Sequence, residues 1–245
     1  MKPLIAANWK MNPILQKEAK ELFDSVKKGV RNITSAEVVI CPPFVYLPLL
    51  KGSKLGAQNV SYEEKGAFTG EISAAMLKDL GVEYVIIGHS ERRKYFGETD
   101  EIANKKIKKT VGAGLNIIFC IGETEEERSA GKKNEVLERQ IKKGLDGIDL
   151  PAQAGNLNPP TGGISIAYEP VWAIGTGNNC SVQETKESVD YIRKFIAEDM
   201  RVLYGGSVKS ENSGAYIKES GANGLLVGGA SLSAEEFIKI VKSAE

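Results

Sequence analysis

The chain is poor in the residues that anchor metals and disulfides. Its 245 residues hold one histidine and three cysteines, Cys41, Cys120 and Cys180. An odd number without close spacing argues against a disulfide framework and against a structural zinc site. No cluster of His, Cys and Asp has metal-ligand spacing, so no metal is expected, and no Ser-His-Asp set is evident. An excess of one charge is lacking too: Lys+Arg and Asp+Glu both number 32. That balance gives no reason to expect nucleic acid or an anionic membrane as partner. The most apolar long window, residues 38–50, is too short for a membrane span and carries Pro42, Pro43 and Pro48. Residues 1–10 hold no sustained apolar segment and no cleavage signature, so a cytosolic address is expected. Missing as well are a Gly-x-Gly-x-x-Gly after the first strand and the Gly-Lys-Ser/Thr ending of a P-loop, which argues against nucleotide.

What is present is an ordinary globular balance, 42% apolar and 26% charged. Short apolar runs alternate with segments of helical periodicity. Strands are predicted over residues 4–7, 37–41, 55–59, 84–88, 116–121, 164–168, 201–204 and 224–227. Helices are predicted over residues 14–30, 73–80, 100–113, 182–199 and 210–219, with a charged helical region over 124–143 and a last helix over about 233–243. Residues 44–50 read as a short helix or turn, and residues 150–163 as one long irregular stretch. Ser181-Val182-Gln183-Glu184 and Ser233-Ala234-Glu235-Glu236 have the Ser-x-x-Glu form of a capping box. Eight β-then-α units imply parallel strands with helical crossovers, and eight in this length suit a single closed (β/α)₈ barrel spanning residues 1–245. A doubly wound sheet is the runner-up.

In such a barrel the functional groups gather at the C-terminal strand ends. Those ends present Asn8 and Lys10, Gln58, His89, Cys120 with Glu123, Glu169, Ser207, and Gly228-Gly229. Glu169 opens Glu-Pro-Val-Trp-Ala-Ile-Gly-Thr-Gly, a carboxylate followed by a stiffened, apolar, Gly-rich loop. This is either a base beneath a lid or a surface acid on an ordinary loop. A lone histidine is more often structural than functional, but His89 directly follows an apolar strand and precedes a helix start. A helix N-terminus disfavours imidazolium, which would leave His89 a neutral hydrogen-bond donor able to polarise a carbonyl. Lys10 is either solvated or placed to neutralise an oxyanion or a substrate anion; Asn8 either orients the site or caps a turn. The turns Gly205-Gly206-Ser207 and Gly228-Gly229, with Gly175, favour phosphate over mere chain reversal. Glu123 reads as structural.

Ordered motifs run through the chain: Asn8-Trp9-Lys10-Met11-Asn12, Gly66-Ala67-Phe68-Thr69-Gly70-Glu71, Gly88-His89-Ser90-Glu91-Arg92-Arg93, the Glu169 loop, Tyr204-Gly205-Gly206-Ser207-Val208 and Leu226-Val227-Gly228-Gly229-Ala230-Ser231. Together they make the chain resemble the triosephosphate isomerase family over essentially its whole length. The resemblance implies cofactor-independent interconversion of dihydroxyacetone phosphate and glyceraldehyde 3-phosphate. It implies Glu169 as base, His89 as the group acting on the oxygens, and Lys10 with Asn8 stabilising the enediolate. It further implies that Gly175, Ser207, Gly228 and Gly229 hold phosphate, with Glu91 and Cys120 supporting. A homodimer is implied, with Thr69 near the partner's site. Departures from the family pattern are Asn178-Asn179 after the lid, Asn223 before the last strand, a short link from the helix after the lid to Arg201, and the stretch 150–163. The rival reading is a phosphate-ligand-binding or structural protein on the same fold, with little turnover.

Overall fold

Each predicted strand forms, and each pairs in parallel with the next. A computed structural model of the chain describes residues 1–148, 163–175 and 179–245. The strands are β1 Leu4–Asn8, β2 Glu37–Cys41, β3 Lys54–Ala57, β4 Val82–Ile87, β5 Asn116–Ile121, β6 Ile164–Tyr168, β7 Val202–Tyr204 and β8 Gly224–Val227. They follow one another in sequence order around a closed barrel. Closure is made by β8 lying against β1, in register from Leu4 opposite Gly224 to Ala7 opposite Val227. Only glycine fits that seam: Gly224 has φ +146°, and a β-carbon there would lie 2.0 Å from the Leu4 carbonyl oxygen.

Strand alternation divides the core into two layers. Leu4, Ala6, Val39, Cys41, Ile86, Ile118, Cys120, Ala167, Leu203 and Leu226 fill the barrel. The alternate residues, such as Ile5, Ile40, Ile87, Phe119 and Ile166, face an outer shell of helices. Those helices are α1 Gln16–Val30, α2 Ala74–Asp79, α3 Ser90–Phe96, α4 Asp100–Gly112, α5 Glu125–Ser129, α6 Lys133–Gly144, α7 Val182–Ile192, α8 Ser210–Glu219 and α9 Ala234–Lys242. Between β2 and β3 the connection is a 3₁₀ turn, Phe44–Leu49. At the N-terminal strand ends, Glu37 accepts from Tyr84 Oη, Lys54 Nζ and Arg201 Nη1, each at 2.9 Å. Burial pushes its carboxyl pKa up, but those donors outweigh it and hold the group below the usual carboxylate range. This ionic plug leaves the opposite end of the barrel as the open mouth.

Two helical expectations are corrected. The charged region 124–143 is two helices, because Gly131 turns left-handed (φ +70°) between α5 and α6. The helix predicted over 182–199 stops at Ile192. Beyond it the backbone tightens to i→i−3 bonds, Lys194 N–H to Tyr191 O and Phe195 N–H to Ile192 O. Arg193 meanwhile donates to the Met200 carbonyl and to Asn223 Oδ1. Asn223 Oδ1 also accepts the Val202 N–H at 3.1 Å. A neutral acceptor is thus enough at this position. At α9, Ser233 Oγ accepts the Glu236 N–H. Glu236 makes no return bond; its carboxylate accepts instead from Ser210 N–H at 2.7 Å and Oγ at 3.1 Å, tying α9 to α8. The stretch 150–163 lies outside the described residues except for Gly163.

Candidate active site

The mouth opens into a cavity of about 660 Å³. Its walls include Asn8, Lys10, His89, Glu169, Gly175, Ser207, Gly228 and Gly229. Residues predicted from five strand ends therefore meet around one space.

Lys10 is the only non-glycine residue with positive φ among those described, at +56°. A left-handed lysine is strained and persists only where its surroundings over-determine it. Here Asn8 Oδ1 accepts the Lys10 N–H at 3.1 Å, and Gln58 Nε2 donates to the Lys10 carbonyl at 2.8 Å. The same Gln58 nitrogen reaches the Cys41 carbonyl at 2.8 Å, fastening β1's exit to β2. The backbone turn aims Lys10 into the cavity, where its ammonium pairs with Glu91. A β-carbon on Gly228 would sit 3.4 Å from Lys10 Cε, so the glycine turn after β8 lies beside that side chain.

His89 caps α3. Its Nδ1 accepts the Glu91 N–H at 3.2 Å. With Nδ1 accepting, Nε2 is the ring nitrogen left to donate. Nε2 lies 3.1 Å from Glu169 Oε1. The His89 loop is fixed from behind: Glu98 accepts the Gly88 N–H, and Arg93 Nε donates to the Gly88 carbonyl, both at 2.8 Å. Glu98 itself is buried with Arg92 Nε at 2.8 Å and the Lys106 ammonium.

Glu169 is 2% exposed. Its Oε2 accepts the Ser90 N–H at 3.0 Å, at the first turn of α3. Its backbone lies against Gly122, where a β-carbon would fall 1.7 Å from the Glu169 carbonyl oxygen. Gly205 leaves space on the other side, since a β-carbon there would come within 3.0 Å of Glu169 Cγ. Gly122→Ala is therefore expected to push the Glu169 carboxylate out of line, lowering activity by roughly tenfold to a hundredfold and stability by about 1–3 kcal/mol. Steady-state kinetics and thermal melting check both; wild-type values would deny the close approach any role.

Cys120 lies inside the barrel beneath this carboxylate. Burial above all, then the negative charge of Glu169, pushes its thiol far above the ordinary range. It is a packing residue with no thiolate to offer as a nucleophile. Glu123 is fully buried: its Oε1 accepts from Trp172 Nε1 at 2.8 Å and from Tyr168 Oη at 3.2 Å. Burial pushes its pKa up. It holds the turn Val171–Ala173 that follows β6. Ser207 Oγ donates to the Ala173 carbonyl at 2.6 Å, a further tie between β7's loop and that turn. Ile174 and Gly175 line the cavity; Thr176, Gly177 and Asn178 lie outside the described residues, while Asn179 borders the mouth. Thr69 is exposed and does not line the cavity.

The structure adds groups that residue type did not reveal. The Ser90 N–H that holds Glu169 is a backbone group with no signature of its own. Lys209 and Glu236 also border the cavity. Lys209 falls just beyond a glycine-bearing strand end, so its signal was available; Glu236 lies in the first turn of α9. Among the described residues no group of His, Cys, Asp and Glu is arranged to hold a metal ion, and no helix is long and apolar enough to cross a membrane.

The family model described as triosephosphate isomerase matches residues 3–244. The chain is 48% identical to the triosephosphate isomerase of Alkaliphilus oremlandii, over 98% of each protein. It is 48% identical to that of Carboxydothermus hydrogenoformans over 99% of each. With the Aquifex aeolicus enzyme it shares 47% identity over 99% of this chain and all of that one. With the closed eight-stranded barrel and the convergent mouth, this coverage places the chain in the triosephosphate isomerase family.

Proposed function

We propose that the chain interconverts dihydroxyacetone phosphate and D-glyceraldehyde 3-phosphate through an enediol(ate), in glycolysis and gluconeogenesis. The observation that carries this reading is the meeting of Glu169, His89 and Lys10 around one cavity rimmed by glycine turns. The division of roles below is the one known for the family.

Glu169 takes a proton from the carbon beside the carbonyl and returns it to the neighbouring carbon. To do so it leaves the Ser90 N–H, and Gly205 gives it room to swing. His89 donates from Nε2 to the substrate oxygens, polarising the carbonyl and moving the hydroxyl protons. Lys10 stabilises the negative oxygen that develops, drawn from its pairing with Glu91, and Asn8 keeps its backbone in place. Backbone N–H groups at Gly175, Ser207, Gly228 and Gly229 grip the phosphate. Closure of the lid over the bound phosphate excludes water from the intermediate. No cofactor is called for, because a proton leaves one carbon and returns to the next.

A coupled assay with glyceraldehyde 3-phosphate is expected to show turnover that is competitively inhibited by inorganic phosphate. No turnover by well-folded protein would overturn the isomerase reading and favour a non-catalytic phosphate binder. We further infer a cytoplasmic homodimer. Phe68 is 44% exposed in the single chain, in the loop that carries Thr69, and a second copy would cover it. Sedimentation at low concentration is expected to give a dimer; monomer alone would refute the interlock.

A further inference from the structure

One side chain outside the cavity touches both ends of the connection between β6 and α7. The guanidinium of Arg128, on α5, lies over the Trp172 ring, 3.7 Å from its centroid. Its Nη2 also donates to Glu184 Oε1 at 2.9 Å. Trp172 belongs to the turn Val171–Ala173 that follows β6, whereas Glu184 sits in the first turn of α7. The second oxygen of Glu184 accepts the Ser181 N–H at 3.1 Å and its hydroxyl at 2.9 Å. The edge of the indole is held separately, by Glu123. The remaining acid near Arg128, Glu125, is 4.0 Å away and on the same helix.

We propose that Arg128 is a positioning residue for the reaction: a strut that holds the turn after Glu169 against the first turn of α7. Only Pro170 and Val171 separate Trp172 from Glu169. Pro170 is stiff, and Val171 is tied by its N–H to the Glu123 carbonyl at 3.1 Å. A tilt of the indole is therefore passed to the carboxylate. Arginine suits the task because its planar fork stacks on a ring and hydrogen-bonds a carboxylate at once; an ammonium does one or the other. The inference rests on the isomerase reading for its kinetic consequence, not for its geometry.

The test uses Arg128→Met, Arg128→Lys and Glu184→Gln in the full chain. Two readouts are independent of the fraction of enzyme folded. The first is the ratio of inorganic phosphate released to isomer formed. When the enediolate is not held, its oxyanion pair re-forms a carbonyl, the double bond shifts, and the C–O bond to phosphate breaks with the pair leaving on phosphate. The second is the ¹⁹F resonance of 5-fluorotryptophan at Trp172, with buried Trp9 as internal reference. Arg128→Met is expected to lower kcat by roughly threefold to thirtyfold, with a rise of similar size in the phosphate ratio. Arg128→Lys should recover less than half of the loss, and Glu184→Gln should fall between. The Trp172 resonance should shift in Arg128→Met while that of Trp9 stays. Wild-type kcat and ratio, or a fall in kcat with an unchanged ratio, would overturn the strut. If the parent enzyme shows no turnover, the isomerase reading fails, and an unmoved Trp172 resonance then overturns the strut by itself.

Discussion

Glu169→Gln is expected to lower kcat by about two to four orders of magnitude, the range that a positioned general base contributes. The amide keeps an oxygen for the Ser90 N–H, so the side chain stays where it is. It cannot take up a proton, and it turns an NH₂ toward His89 Nε2, where the carboxylate offered an acceptor at 3.1 Å. Losing that one bond should cost about 1 kcal/mol of stability, too little to unfold the protein. KM should change by no more than a few fold, because the glycine turns that grip the phosphate are untouched. Glu169→Asp gives a second point on the same line. It keeps the base but withdraws it by a methylene, and a misplacement of about 1 Å costs roughly a hundredfold. Phosphate affinity, measured by competition, should be equal in all three proteins. A kcat unchanged in either variant would remove Glu169 from proton transfer.

The barrel and most of the residues that line its mouth were legible in the sequence for a physical reason. A parallel strand buried on both faces must be apolar throughout, and the helix that follows must be amphipathic, so eight repeats of that contrast announce themselves. The polar residues that interrupt the pattern at strand ends, Lys10, His89 and Glu169, then stand out as groups with no packing reason to be there. Legibility stopped where the determinant is not a residue type. Gln58 was read as a strand-end residue, but nothing local says that it clamps the left-handed Lys10 from 48 positions away. The Ser90 N–H is available only because α3 begins there. The helix after the lid was predicted too long because Phe195 and Ile196 continue its apolar periodicity; both pack against the core, but from turns. Periodicity records which side chains are buried and does not record whether the backbone between them remains helical. Arg128 illustrates the same limit, since a charged residue on a charged helix reads as solvated until its partners on two other segments are seen.

The largest effect on stability is expected away from the reacting groups, at Glu98→Gln: a loss of about 3–5 kcal/mol, the cost of leaving a buried charge without its partner. Glu98 and Lys106 are both buried, and the ammonium is also held by Asn59 Oδ1 at 2.7 Å. Burial alone would raise the Glu98 pKa. The Lys106 charge, hydrogen bonds from Lys106 and Arg92, and the Gly88 N–H outweigh it and hold the carboxyl below the usual range. A carboxylate with a lowered folded-state pKa stabilises the fold above its unfolded value, about 4.3 for glutamate, and that stabilisation disappears as pH falls through the folded value. Denaturant unfolding of the parent protein should therefore weaken on acidification below about pH 4. Glu98→Gln should lack this component, so the gap between the two proteins should narrow as pH drops. The amide still accepts the Gly88 N–H, so the loop ahead of His89 should survive and kcat at neutral pH should fall less than stability does. Glu98→Gln combined with Lys106→Met removes both charges, and replacing a buried pair by apolar groups is often close to neutral. The double variant is expected to recover most of the lost stability. A double variant no more stable than Glu98→Gln would mean that the polar network, through Arg92 and Asn59, and not the ion pair itself, holds the end of β4.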